Sequence, residues 1–295
     1  MASILTNSSA LTALQNLATT NKALETTQGR ISTGLRIGEA SDNASYWSIA
    51  TTMKSDNKAN SAVQDALGLG SGKIDTAYTA MNKAIEVVDE IKQKLLTALG
   101  ASEGDTAKID TEVKTRIEQL KSIAGSANYA GSNLLAGTGA ADGLKIVSSY
   151  DRASAGTTTV GYISVDTTNI ALFGADATTG AVDDSTGILA GVADIDLSAA
   201  TPDIEGFLDT IETALTAMAT GASELGAAKS RVDLQKSFVS SLSDSIEKGV
   251  GQLVDADMNK ESARLSALQV QQQLGVQALS IANSSSQSIL SLFRG

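Results

Sequence analysis

Apolar residues return every seven positions near the N-terminus. Ala10, Leu17, Leu24 and Ile31 form one row, and Leu14, Asn21, Gln28 and Leu35 form the row beside it. This spacing predicts an amphipathic helix over the first ~40 residues, with a heptad-like stripe interrupted by polar side chains. A break is expected at Ser32 to Ser45 (STGLRIGEASDNAS), where Gly34 and Gly38 loosen the chain and Ser41, Asp42 and Asn43 offer side-chain oxygens to cap a new helix. A second helix is predicted from about 44 to 99 on the stripe Ile74, Met81, Val88, Leu95, with Ala77, Ala84, Ile91 and Ala98 alongside. LGLGSG (Leu67 to Gly72) is its weak point, because each mid-helix glycine costs about 0.8–1.0 kcal/mol relative to alanine. After a turn at Ala101 to Asp105, Ile109, Val113, Ile117, Leu120 and Ala124 mark a third helix that fades near NYAGSN, Asn128 to Asn133.

The pattern then changes. KIVSSY (145–150) and TTTVGYISVDTT (157–168) are rich in Val, Ile, Tyr and Thr and predict β-strands. Helical spacing resumes at Thr201-Pro202-Asp203, with proline expected in the first turn. Ile211, Met218, Leu225, Val232, Val239, Ile246 and Leu253 then recur at sevens without a miss, a stripe about 63 Å long at ~1.5 Å per residue. The expected fold is mainly α: a long antiparallel helical rod or coiled-coil bundle, formed by paired N- and C-terminal halves, with a small β-rich insertion containing one or more β-hairpins. Three regions are expected. Residues 1–40 and 254–295 form paired terminal helices, 41–136 and 201–253 form a long-helix rod, and 137–200 form an outward-facing β-rich segment.

Composition narrows the function. The 295-residue chain has 42% apolar but only 3% aromatic residues, one Pro, one Trp, and no His or Cys. That removes Ser-His-Asp and Cys-nucleophile catalysis and the common zinc and haem sites. No calcium-loop or phosphate-loop motif stands in its place. The reading is therefore no enzyme, no catalytic residue, no metal and no cofactor. A net charge of -11 and a pI near 4.5 argue against nucleic acid and anionic membrane, both of which demand a basic face. The N-terminus lacks the basic and continuous apolar regions of a cleaved signal, and no apolar run is long enough to span a bilayer.

The distribution of charge is more telling than its total. Residues 1 to 21 and 265 to 293 carry no Lys, Arg, Asp or Glu, in a chain that is 19% charged. The C-terminal seam runs Leu265, Leu268, Gln272, Gly275, Leu279, Ala282, Ser286, Ile289, Phe293. Burying its five large apolar members does not offset the entropy of ordering some thirty residues, so the termini are marginal in a monomer. A flexible tail would not carry periodic large apolar residues, and a membrane-surface helix would carry a basic face. The pattern points to an interior formed among many copies, where an ionised group would be costly to desolvate and Gln, Asn and Ser fix register.

Two long segments resemble bacterial flagellin, of the alphaproteobacterial type: Ser8 to Ala50, with S-x-G-x-R-I at Ser32 to Ile37, and Val254 to Gly295, with A-x-L-x-x-L-Q-x-Q-Q-Q-x-G at Ala263 to Gly275. The resemblance covers about the first 135 and the last 90 residues. Tyr46-Trp47-Ser48 is the alphaproteobacterial variant. The resemblance implies a structural subunit that polymerises into the flagellar filament for motility, alone or with other flagellins. It also implies secretion through a type III channel, contact with hook-associated and cap proteins, and an export chaperone on the C-terminal helices. The hook–filament junction protein is the alternative.

The assembly residues expected on these grounds are Leu11, Leu14, Leu17, Leu24, Ile31, Leu35, Leu265, Leu268, Leu279, Ile289, Leu290 and Phe293. The rod core is expected to hold Trp47, Ile74, Met81, Val88, Leu95, Ile211, Met218, Leu225, Val232, Val239 and Ile246. Two departures from the family pattern stand out. Asp89 occupies a position where many flagellins carry an arginine used by the animal innate receptor. Tyr46 replaces a small glycine in the segment read by plant receptors. Both residues are candidates for evading recognition.

Overall fold

The computed structural model describes residues 7–137, 143–153, 157–175, 182–198 and 202–292; the side chains of 103 and 285–292 lie outside that description. The chain runs α1 (Ser8–Thr33), α2 (Ala44–Ala98), α3 (Glu103–Ser126), β1 (Asn128–Tyr129), β2 (Ser132–Asn133), β3 (Ala136–Gly137), β4 (Leu144–Arg152), β5 (Thr158–Val165), β6 (Phe173–Ala175), β7 (Val182–Asp183), α4 (Ala190–Ala193), α5 (Ile204–Val254) and α6 (Met258–Leu292). It divides into two compact units. One comprises residues 1–57 and 244–295, and the other comprises residues 58–243.

The 58–243 unit has a continuous apolar core. Ile74, Met81, Val88, Ile91 and Leu95 of α2 are buried with Val113, Ile117 and Leu120 of α3 and Ile211, Met218, Leu225, Val232 and Val239 of α5. The heptad rows are the residues that turn inward, because a seven-residue repeat keeps one side of a helix facing its partner. Exposed ion pairs decorate the seams: Arg116 to Glu90 at 2.8 Å, Lys92 to Glu212 at 2.5 Å, and Lys229 to Asp75. Pairs this exposed contribute little, typically ~0–1 kcal/mol each.

The β-rich segment belongs to this same core. Ile146, Ile163, Val165, Ile170, Leu172, Phe173, Leu189, Val192, Ile195 and Leu197 are buried in it. β4 and β5 form an antiparallel hairpin from Leu144↔Val165 to Arg152↔Thr158, with an irregularity between Val147 and Ser149. The bulge turns the Ser148 carbonyl toward α5, where it accepts a hydrogen bond from Gln235 Nε2 at 2.8 Å. β6 pairs with β3 in parallel and with β7 in antiparallel.

The glycines of LGLGSG do not break α2, and packing explains why they are there. A Cβ on Gly70 would lie 2.6 Å from Ile146 Cδ1, and one on Gly72 would lie 2.6 Å from the Tyr129 ring. Glycine lets the hairpin and the β1 turn approach the helix backbone, and that contact outweighs its propensity cost. α5 also starts differently from expectation. Pro202 precedes the helix instead of sitting in its first turn, and Asp203 Oδ1 accepts the Gly206 N–H at 3.0 Å as the cap.

Further polar ties hold the segment after α4. The buried Asp110 carboxylate accepts the Leu197 N–H at 2.9 Å, and Lys114 bridges Asp110 at 2.7 Å and Asp196 at 3.1 Å. Asp196 also accepts the Ser198 hydroxyl and N–H. These bonds, Ser198 first and then Lys114, hold its carboxyl at about 2.

Candidate assembly surface

In the unit of residues 1–57 and 244–295, α1 and α6 pair antiparallel. Asn7 Nδ2 donates to the Ala282 carbonyl at 3.0 Å, Gln272 Nε2 donates to Asn21 Oδ1 at 2.8 Å, and Arg30 meets Glu261 at 3.5 Å. Between the first two, a Cβ on Gly275 would stand 3.1 Å from Leu17 Cδ1. The polar members of the two seams thus bond to each other, which fixes register in a helix pair that has few buried apolar residues.

The S-x-G-x-R-I segment acquires a structural meaning here. Asn7 caps α1 through the Ala10 N–H, and Gly34, at φ +71°, ends it by donating its N–H to the Arg30 carbonyl at 2.9 Å. Only a residue tolerant of left-handed backbone fits that cap. The chain then turns onto the end of α5. The N–H groups of Arg36 and Ile37 donate to the Val254 carbonyl at 2.7 and 3.2 Å, and Arg36 Nη2 donates to the Leu253 carbonyl at 2.8 Å. Carbonyls that α5 cannot satisfy internally are satisfied by this loop. Ile37 enters a small buried cluster with Ala50, Val250 and Val254.

Asp42 Oδ2 closes the following turn by accepting the N–H groups of Gly38 at 2.9 Å and Glu39 at 3.2 Å, which hold its carboxyl below the ordinary carboxylate range. Asn43 Oδ1 caps α2 through the Tyr46 N–H at 3.2 Å, and Asp257 Oδ1 caps α6 through the N–H groups of Asn259 and Lys260.

Little of the pair is buried. Thr27 is the buried residue of α1, and Glu261 and Leu268 are the buried ones among the described side chains of α6. Arg30 Nε and Glu261 Oε2 find no hydrogen-bond partner there. The expected assembly residues separate into groups. Leu11 and Leu14 stand out at 62% and 55% exposure. Leu17, Leu24, Ile31, Leu35, Leu265 and Leu279 are half-buried. Leu268 is buried inside the chain itself, so it holds the pair together and does not face outward. The side chains of Ile289 and Leu290 lie outside the description, and Phe293 lies outside the described residues.

Two rod-core expectations need correction. Trp47 is 38% exposed, because α2 begins beyond the small cluster and Ala50 is the residue that turns into it. Ile246 is only partly buried, at the edge of that cluster. Tyr46 and Asp89 are both exposed.

Heptad reading missed Val270, Leu274, Val276 and Ile281 on α6, all exposed, and Leu234 and Phe238 on α5, exposed away from the Val232/Val239 seam. They lie off the seam, so periodicity passes over them. On α6 the signal was the absence of charge from Leu265 onward, which marks every face of that stretch and not one.

Threonines of α1 turn their hydroxyls back on their own helix. The hydroxyls of Thr12, Thr19, Thr20, Thr26 and Thr33 on α1 each donate to the carbonyl four residues back. These five hydroxyls therefore keep a partner when the surface is buried. No group of three His, Cys, Asp or Glu that could hold a metal ion occurs among the described residues, and no described helix is long and apolar enough to cross a membrane.

Comparison with known proteins gives this surface a context. Residues 4–140 match the model of the bacterial flagellin N-terminal helical region, and 208–293 match that of the C-terminal helical region. A flagellin of Brucella melitensis is 64% identical over the whole of both chains, and Flagellin C of Rhizobium meliloti is 46% identical, again over the whole of both. A solved structure of a putative flagellar hook-associated protein from Vibrio parahaemolyticus superposes with a TM-score of 0.52, covering 72% of this chain and all of its own. At 16% identity it shares the fold alone, and nothing favours the junction alternative. With both terminal models matched and full-length relatives at this identity, the chain belongs to the bacterial flagellin family, the structural and non-enzymatic subunit of the extracellular flagellar filament.

Proposed function

We propose that, within the filament, the α1–α6 pair is the element that packs subunit against subunit, with the uncharged face around Leu11, Leu14, Val270, Leu274 and Ile281 as its contact surface. The observation that carries this reading is the exposure of these large apolar side chains on helices with no charge in residues 1–21 and 265–293. An isolated globular protein places charge on such a face, whereas an interior made of many copies excludes it, since desolvating an unpaired ion costs several kcal/mol or more. The threonine hydroxyls turned back on their own helix suit the same environment.

Hook-associated and cap proteins would meet copies of the same terminal pair at the ends of the filament. An export chaperone would cover the exposed apolar residues of α6 before assembly. The exposed Tyr46 and Asp89 stand where the family's receptor-read residues stand, and their bulk and negative charge support poor recognition by plant and animal innate receptors. Strong receptor activation by the purified monomer would overturn that part.

The test is electron microscopy of purified chain with and without short filament seeds, beside truncations lacking 1–35 or 265–295. Long tubes from the full chain and none from the truncations is the expected result. Tubes from either truncation would remove the α1–α6 pair from the assembly role.

A further inference from the structure

The polar ties between α1 and α6 differ in how well they tell one register from another. We propose that Arg30 and Glu261 are the register-setting residues of the pair, and that they exclude an α1–α6 pairing slipped by one heptad. The proposal rests on the filament reading above, because a slipped pair would present Leu11 and Leu14 at altered heights relative to Val270 and Leu274 on the contact surface.

The seams explain why a lock is needed. Ala10, Leu17, Leu24 and Ile31 repeat along α1, and Leu265, Leu268, Gln272, Gly275, Leu279 and Ala282 face them from α6. A slip of one heptad moves the helices by ~10.5 Å at ~1.5 Å per residue and sets small and apolar side chains against small and apolar ones again. In one direction Leu17 leaves Gly275 for Ala282, and Gln272 leaves Asn21 for a second amide, Gln28. Asn7 Nδ2 donates to a main-chain carbonyl, that of Ala282, and every register offers carbonyls. These contacts tolerate the slip.

The ion pair does not tolerate it. Lys22, Glu25, Lys260 and Arg264, the other charged residues of the two helices, are exposed, whereas Glu261 is buried and Arg30 half-buried. In the same slip Arg30 would face Leu268, and Glu261 would pass beyond the end of α1. In the opposite slip Glu261 would face Ala23, and Arg30 would pass beyond the start of α6. Either way one of the two charges meets an apolar side chain without its counter-ion, which low-dielectric surroundings penalise heavily. The bonding of the pair suits selection better than strength. One contact joins it, Arg30 Nη1 to Glu261 Oε1 at 3.5 Å, while Arg30 Nε and Glu261 Oε2 have no hydrogen-bond partner. A buried ion pair so sparsely bonded contributes little stability relative to apolar side chains of similar size; its use is to choose one pairing over others. Each charge also lies at the helix end that favours it, Arg30 in the last turn of α1 and Glu261 in the first turn of α6. Exchanging the two charges separates that local benefit from the pairing.

The chain has no cysteine, so engineered disulfides read the register directly. A Cβ on Gly275 would lie 4.0 Å from Leu17 Cβ, within disulfide reach. Leu17→Cys with Gly275→Cys therefore reports the native register, and Leu17→Cys with Ala282→Cys the slipped one. Full-length chain carrying either pair is oxidised free and in filaments grown on seeds, and intramolecular bonds are measured by peptide mapping of the non-reduced chain. With Arg30 and Glu261 in place, the first bond is expected to close and the second to stay open. With Arg30→Leu and Glu261→Leu together, the first is expected to fall several-fold and the second to appear. With the exchange, Arg30→Glu and Glu261→Arg, most of the native bond is expected to return, although both charges then oppose their helix dipoles. An unchanged native bond in the double-leucine chain overturns the proposal, as does a native bond that never closes with Arg30 and Glu261 in place. Loss of the native bond without gain of the slipped one also overturns it, since the ion pair would then hold the helices together without choosing their register. An exchange that restores nothing would leave each charge serving only its own helix end, and counts against it equally. Failure of the chain to grow on any seed overturns the filament reading, while the bonds formed in the free chain still decide the register.

Discussion

In residues 58–243 the heptad rows of α2, α3 and α5 turn inward, leaving Leu69, Leu96, Leu234 and Phe238 exposed off those rows, and the β-rich segment adds Ile146, Ile163, Leu172 and Phe173 to the same core. In residues 1–57 and 244–295 the apolar side chains divide differently. Ile37, Ala50, Val250 and Val254 form a small cluster, Leu268 is buried, and Leu11, Leu14, Tyr46, Trp47, Ile49, Met258, Val270, Leu274, Val276 and Ile281 remain exposed. The difference teaches that one heptad-like pattern can serve two destinations. Where charges flank the stripe, as at Lys92, Lys94 and Glu90 of α2, the helix has a solvated side and its stripe closes a core within the chain. Where charge is missing around the helix, as on α6 from Leu265 onward, the stripe is too weak to close a core alone and the remaining faces are left for other copies.

The strongest way to break this comparison is a charge on the terminal face. Leu14→Asp is expected to abolish seeded filament growth, seen by electron microscopy, while leaving the monomer's thermal transition nearly unchanged, because Leu14 is exposed in the free chain. A large loss of monomer stability would mean that Leu14 supports the chain's own fold. The converse change is Leu95→Ala in the 58–243 core. Leu95 is fully buried, and the truncation is expected to lower unfolding stability by about 2–5 kcal/mol in denaturant titration. A loss much below that range would mean the core collapses onto the vacated space.

Gly70→Ala sharpens the same contrast. Helix propensity alone predicts a gain of about 0.8–1.0 kcal/mol, but a methyl group would be 2.6 Å from Ile146. Overpacking is expected to win, with a net loss of about 1–3 kcal/mol and altered amide shifts along β4. A stabilised Gly70→Ala variant would show that the hairpin can move away at little cost.

The smallest effect concerns acid. The Asp196 carboxyl is lowered from 3.8 to about 2 in the folded chain by Ser198 and Lys114. A lowered folded-state value means the unfolded chain binds the proton more readily, so the contribution is fully present above pH ~3.8 and is lost as pH falls through ~2. Asp196→Asn is expected to flatten the acid limb of the thermal transition between pH 4 and 2, without affecting filament growth at neutral pH. An unchanged acid limb would show that Asp196 is free in solution.

Much of the fold was legible along the chain, since heptad rows and caps locate α1, α2, α3, α5 and α6, and the alternation of Val, Ile, Tyr and Thr locates β4 and β5. The sequence does not reveal which partner a surface has. Gly70 and Gly72 look like helix breakers until Ile146 and Tyr129 are seen against them. The sequence leaves open whether the β-rich segment has a core of its own, and Leu172, Phe173, Leu189 and Ile195 lie in the core of the 58–243 unit. Trp47 looks like a core residue because size and apolarity favour burial, and its exposure reflects where α2 begins relative to the cluster around Ala50.

The sequence by itself determined the helices, their inward rows, the hairpin, the exclusion of His- and Cys-dependent chemistry, and the uncharged ends that call for an interior. These follow from periodicity and composition, which are local properties. Only the tertiary structure decided that Leu268 is consumed within the α1–α6 pair while Leu11, Leu14, Val270 and Leu274 are left outward. It also decided that Arg36 and Ile37 complete the end of α5. Those assignments depend on which residues more than two hundred positions apart come together, and a one-dimensional pattern does not carry the distance between them.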